Sequence, residues 1–256
     1  MKLKNLIVLV LALCLLPSCQ ELMAKLKPML TPKASPEMVS EIMAKAEKIG
    51  FSSPRKLGKS KKDRLKIKAG QWVTTLTTHK DVGNDRLLST VRVIHVDGST
   101  VVLETESYSA LGKCERQLTQ MTFENYPIKS KLSYTQEDID DSLRAMKITK
   151  VVTKNGDEPA QELPEQALMM YQQIGKNMTG VSMRSGDMTS DACPGTYIES
   201  ARCYDFDFTV SVMGITQTGR VTAHSDIPVN GMVRMETPDM VQETIAFGSS
   251  GAQSQM

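Results

Sequence analysis

LLSTVRVIHV (87–96), Asp97-Gly98 and STVVLETESY (99–108) place two runs rich in β-branched residues on either side of a turn dipeptide. Asp-Gly supplies the positive φ that a tight hairpin needs, so Leu87–Tyr108 predicts two antiparallel strands. Upstream, QWVTTLTTH (71–79) alternates as a strand with Trp72, Thr74, Leu76 and Thr78 on one side. Downstream, ERQLTQMTFENYP (115–127) and AMKITKVVTKNGDEPAQ (145–161) continue the pattern, with Asn155-Gly156 as a second turn. RCYDFDFTVSVMG (202–214) alternates almost without fault. Tyr204, Phe206, Phe208, Val210 and Val212 share one side, and Asp205, Asp207, Thr209 and Ser211 share the other. TGRVTAHS, GMVRMET and VQETIAFG complete the strands. The expected fold is mainly β, of the α+β kind: an antiparallel meander forming a curved sheet or half-open β-barrel with one or two packed helices.

Helical signals interrupt this pattern in two main places. KASPEMVSEIMAKAEKIG offers Ser35 as N-cap, Pro36 at the first helical position and Gly50 as a stop, predicting a helix over about 36–49. Its apolar stripe, Met38, Ile42, Ala46 and Ile49 with Val39 and Met43, must lie on something, either the protein's own sheet or else the membrane or a groove mouth. LPEQALMMYQQIG (163–175) carries Leu168, Tyr171 and Ile174 on one face and is expected to cover the aromatic side of 204–212. QEDIDDSLRA (136–145) suggests one or two further helical turns, 177–192 a polar loop, and 249–256 a disordered tail.

The chain begins MKLKNLIVLVLALCLLPSCQ. Lys2 and Lys4 precede an apolar run from Leu6 to Leu16, too short to span a bilayer core of roughly 30 Å, and this predicts a signal peptide over 1–18. Leu16-Pro17-Ser18-Cys19 resembles the lipobox of bacterial lipoproteins. That resemblance implies cleavage before Cys19, acylation of Cys19, and an anchor of two or three chains, which leaves a membrane very slowly. The plainer alternative is a secreted protein with a cysteine near its cut. Gln20, a non-aspartate beside the lipidated cysteine, implies the outer membrane rather than the inner one. From Cys19 to residue 68 the chain reads as a lipidated arm ending in a basic linker over 54–68. There Arg55, Lys56, Lys59, Lys61, Lys62, Arg64, Lys66 and Lys68 face the single acid Asp63. Such a linker rests on anionic headgroups or serves as a solvated tether.

Residues 69–248 form the expected β-rich domain. The formal net charge of +2 argues against a nucleic-acid partner. Cys114, Cys193 and Cys203 remain as disulfide candidates in an oxidising compartment. If 195–212 is one extended strand, Cys193 and Cys203 stand too far apart to bond, and Cys114 pairs with one of them.

Cys193-Pro194-Gly195-Thr196-Tyr197, Ile227-Pro228-Val229-Asn230-Gly231-Met232-Val233-Arg234 and Ala246-Phe247-Gly248 resemble the PAGTF…VPxGLVK…G pattern of exported bacterial proteins. Lys68–Val73 resembles the GxWV start of such domains. A meander with an inserted helix in an exported lipoprotein is similar, at fold level, to the half-open β-barrels of the Lol lipoprotein-sorting proteins. Those hold acyl chains in a concave sheet closed by helices.

No G-x-S-x-G, H-E-x-x-H, P-loop or G-x-G-x-x-G occurs, so no catalytic residue, cofactor or metal is expected. His79, His95 and His224 are scattered, and Asp205 and Asp207 read as a wet strand face. The expected function is a non-catalytic envelope lipoprotein that binds a lipid, acyl chain or other apolar ligand. The candidate ligand face comprises Tyr204, Phe206, Phe208, Val210, Leu168 and Tyr171. The alternative is an assembly module that docks an envelope protein with no small ligand, and an enzyme is the third reading.

Overall fold

A computed structural model describes residues 34–51, 55–59, 65–80, 85–110, 114–126, 129–130, 141, 144–176, 178–188, 193, 196–212 and 215–256. The signal segment, Leu16–Cys19 and the turns expected over 136–140 lie outside the described residues.

The predicted hairpin is the centre of the molecule. β3 (Trp72–His79), β4 (Arg86–Asp97), β5 (Thr100–Ser109), β6 (Gln117–Glu124) and β8 (Lys147–Asn155) run as an antiparallel meander, ending at the short β9 (Gln161–Glu162). Gly98 at φ 54° and Gly156 at φ 52° make the two turns that the sequence marks. On the other side of β3 follow β15 (Met240–Gly248), β14 (Met232–Glu236), β13 (Ile215–Ala223), β12 (Tyr204–Val212) and β10 (Met178–Met188). The result is one 11-stranded antiparallel sheet, curved and not closed into a barrel.

Both faces of the central strands are covered, which explains why β3 is buried from Val73 through Thr77. On one face Val73, Val91, Phe247 and Val233 meet Ile198, Ile227 and the two half-cystines Cys193 and Cys203. That face continues through Val93, Leu103, Met121 and Val151, where α2 (Glu165–Lys176) adds Leu168 and the residues before it add Leu163. On the opposite face α1 (Pro36–Ala46) lays Ile42 and Ala46 onto Leu76, Leu88, Ala246 and Ala110. Ser35 caps α1 as expected, its Oγ accepting from Met38 N at 3.1 Å, and a π-helical turn (Glu47–Phe51) continues it. The apolar stripe of α1 therefore rests on the protein's own sheet.

Four sequence expectations are corrected. The basic linker is no tether at Arg55–Lys59: these residues form β1, which pairs in parallel with β11 (Ile198–Arg202). Leu65–Lys66 (β2) likewise pairs with Lys129–Ser130 (β7). Buried His224 fixes the first ribbon, one ring nitrogen 2.8 Å from Gly58 O while the other accepts from Asp226 N. The stretch 177–192 is not simply a loop, because Met178–Met188 forms β10 by pairing with β12. Tertiary pairing overrides the weak local β signal of these polar, glycine-containing residues.

Residues 249–256 are not a free tail, since Ala252 N donates to Gly70 O at 2.8 Å and Gln255 N to a Glu104 carboxylate oxygen at 2.9 Å. Finally, Cys193 bonds to Cys203, with Cα atoms 5.6 Å apart, and Cys114 is free. The chain breaks at Cys203: β11 leaves the main sheet to join β1, and β12 starts on the far side of the bend. Cys114 lies buried beneath α1, where desolvation and then the nearby Glu41 push its thiol up to about 11. It stays protonated near neutral pH and packs as a small apolar side chain.

Candidate functional site

The α1 face of β3, β4 and β5 presents Trp72, Thr74 and Leu76, then Leu88, Thr90 and Arg92, then Glu104, Glu106 and Tyr108. A bulge between Val93 and His95 decides which charges meet. Below the bulge Arg92 stands opposite Glu104, and Thr90 opposite Glu106. Glu104 is 0% exposed and Arg92 only 16%.

A network of hydrogen bonds compensates these buried charges, leaving Arg92 Nη1 without one. Glu106 accepts from Arg92 Nη2, from Arg116 Nε at 2.6 Å and from Tyr108 Oη at 2.9 Å. Burial alone would raise the Glu106 carboxyl, but the hydrogen bonds of Arg116, Arg92 and Tyr108 together hold it below its usual 4.5. Tyr108 is pushed up to about 12 by burial and by donating to Glu106, so it remains a neutral donor. Glu104 accepts from Ser254 Oγ at 2.6 Å and from Gln255 N at 2.9 Å, with Arg92 Nη1 3.6 Å away. The segment after β15 is thus pinned to the sheet by a buried carboxylate.

Between this segment and α1 lies a cavity of about 530 Å³. Its floor is Trp72, Leu88, Thr74, Thr90 and the Tyr108 ring, with Arg92 and Glu106 at one side. Lys45, Lys48 and Ile49 overhang it from α1 and the following turn, and Gly251, Ala252, Gln253 and Gln255 close the other edge. Lys45 Nζ sits 4.7 Å from the Tyr108 ring centroid, a cation–π contact. Ile49, 39% exposed, is one of two large exposed apolar side chains among the described residues. Gly248 is what lets Trp72 lie flat here, because a Cβ at that position would fall 2.2 Å from the indole nitrogen. Thr74 and Thr90 bond to each other across the floor at 2.8 Å.

The predicted ligand face is elsewhere and does not converge on this cavity. Tyr204, Phe206 and Phe208 are buried as the alternation implies, Tyr204 and Phe206 against Ala223 and Val221. Leu168 packs at the other end of the sheet with Met121, Phe123 and Val151, so α2 is not the lid over the aromatic strand through Leu168. The side chains of Val210, Val212, Tyr171 and Ile174 lie outside the described residues. Asp207 pairs on the surface with Arg220 at 3.0 Å, and Asp205 accepts from Thr222. Among the described residues no cluster of three His, Cys, Asp or Glu could hold a metal ion, and no helix is long and apolar enough to cross a membrane.

No protein-family model and no curated protein matches the chain. Two solved structures align with it distantly. The hypothetical protein CT021 of Chlamydia trachomatis aligns at a TM-score of 0.40 and 9% identity, over 73% of this chain and 91% of that one. A Bacteroides fragilis protein with a YmcC-like fold, BF2203, aligns at 0.33 and 9%, over 74% and 100%.

Proposed function

We propose that this chain is a membrane-anchored envelope lipoprotein that binds an apolar, chain-bearing ligand without catalysis, in the cavity above Trp72, Leu88 and Tyr108. The cavity carries the reading. Its volume of about 530 Å³ falls within the roughly 300–1,000 Å³ typical of small-molecule sites. Trp72, Leu88 and the Tyr108 ring give its floor apolar surface beside the bonded Thr74–Thr90 pair, and Ile49 lies exposed at its rim. The carboxylate and phenol within reach are committed to one another and to arginines, which supports binding rather than acid–base chemistry. The Cys193–Cys203 bond fits an oxidising compartment, in line with export.

Trp72 is the chain's single tryptophan, so its fluorescence reports on the cavity alone. Titrating the purified protein with long-chain fatty acids, alcohols and lysophospholipids should give a saturable shift in emission. Thr90→Phe, which puts a ring into the cavity, should abolish the shift while the protein still melts cooperatively. No response across the panel, with no chain retained in equilibrium dialysis, would transfer the function to protein docking. The anchor is tested apart: a fatty-acid probe should label wild type in cells and leave Cys19→Ala unlabelled. A labelled Cys19→Ala protein would refute lipidation at that cysteine.

A further inference from the structure

We infer that the ligand carries a negative head, a carboxylate or phosphate, which Lys45 and Lys48 receive at the mouth of the cavity while the chain lies along Ile49, Trp72 and Leu88. This rests on the binding reading above and adds the chemistry of the ligand. The charges that line the cavity are Lys45, Lys48, Arg92 and Glu106, three cations against one carboxylate, or +2. Arg92 and Glu106 are bonded to each other at one side of the floor and cancel. The excess therefore sits in the two lysines of the overhang.

Lys45 rests over the Tyr108 ring and pairs with one carboxylate among the described residues, the exposed Glu41 at 3.5 Å one turn earlier, and Lys48 is solvent-exposed. Both ammonium groups can reach an incoming anion without leaving a buried carboxylate unpaired. The opposite edge offers amide groups of Gln253 and Gln255, and among the described lining residues the one acid, Glu106, is already paired with Arg92 and Arg116. A cationic mouth beside the apolar surface of Ile49, Trp72 and Leu88 matches an amphiphile, which has one charged end and one chain.

Trp72 emission, titrated with oleic acid, oleyl phosphate, oleyl alcohol and oleylamine, compares four heads on one chain. The acid and the phosphate should bind about tenfold more tightly than the alcohol, the scale expected of two rim charges, and the amine most weakly. Raising the salt should weaken the acid and the phosphate and leave the alcohol unchanged. Lys45→Glu/Lys48→Glu should invert the order of acid and amine with the alcohol constant and the melting temperature little changed. Equal affinity for acid and alcohol in wild type, or unchanged acid affinity in the double variant, would overturn the anionic head and leave the chain site standing. Silence from all four compounds would instead overturn the cavity reading itself. A preference between acid and phosphate identifies which anion the lysines fit.

Discussion

Arg92→Ala should lower the unfolding free energy by about 3 kcal/mol at neutral pH, read from urea denaturation, because it leaves a buried carboxylate without its cation. Glu104 has no exposed surface, and Arg92 is the cation standing opposite it. The loss should fall toward the low end of the roughly 3–5 kcal/mol usual for broken buried pairs, since Ser254, Gln255 and Gln120 still donate to Glu104. Against a total of about 5–15 kcal/mol this is a large fraction. Arg92→Met/Glu104→Leu should recover only part of it, because the apolar pair needs no desolvation but Ser254 and Gln255 lose the carboxylate to which they donate. If Arg92→Ala is neutral, the network is ornamental and the segment 249–256 is held by something else.

The same network sets a pH dependence. Glu106 is held below its usual 4.5 in the folded protein, so its contribution is fully present above that value and is lost as the pH falls through the lowered one. Wild type should therefore lose stability as the pH drops below about 4.5. Arg92→Ala removes one of the hydrogen bonds that hold the carboxyl down, so its acid branch should be shallower.

The meander was legible because its strands carry strong local signals: two glycine turns and a period of two that survives wherever one face is dry. The charged cavity was not. An unbroken register from the Asp97–Thr100 pair would set Glu104 opposite Val93 and Arg92 opposite Thr105. The bulge after Val93 shifts the pairing by one residue and brings Arg92 to Glu104, and a sequence offers no marker for that extra residue. Lys45 and Lys48 lie off the apolar stripe of α1, and no motif in the sequence marks them. What makes them a rim is the docking of residues 251–255 across the sheet, and that docking depends on the buried carboxylate of Glu104. The aromatic alternation at 204–208 marks a dry face, and the structure buries Tyr204, Phe206 and Phe208 in packing away from the cavity, because a filled core and an empty groove look alike in one sequence.

Replacing both Cys193 and Cys203 by alanine should destabilise the oxidised protein by about 3 kcal/mol, the chain-entropy value for a loop of this short length. For a chain of this size the melting temperature should fall by roughly 6–12 °C. The bond ties the parallel ribbon of β1 and β11 over Val73, Val91 and Phe247, so the loss should appear first as faster hydrogen exchange in 55–59 and 198–202. Cys114→Ala should behave differently, leaving a small cavity beneath α1 and no change in that exchange. Peptide mapping without reduction decides the pairing on which this rests. A Cys193–Cys203 peptide is expected, with Cys114 alkylated only after unfolding, because its thiol is buried and pushed up to about 11. A cross-linked peptide containing Cys114 would mean that the bend at Cys203 is not where the chain turns. The double alanine variant would then remove a bond that closes a loop of about 80–90 residues, and its loss would rise to about 4.5 kcal/mol.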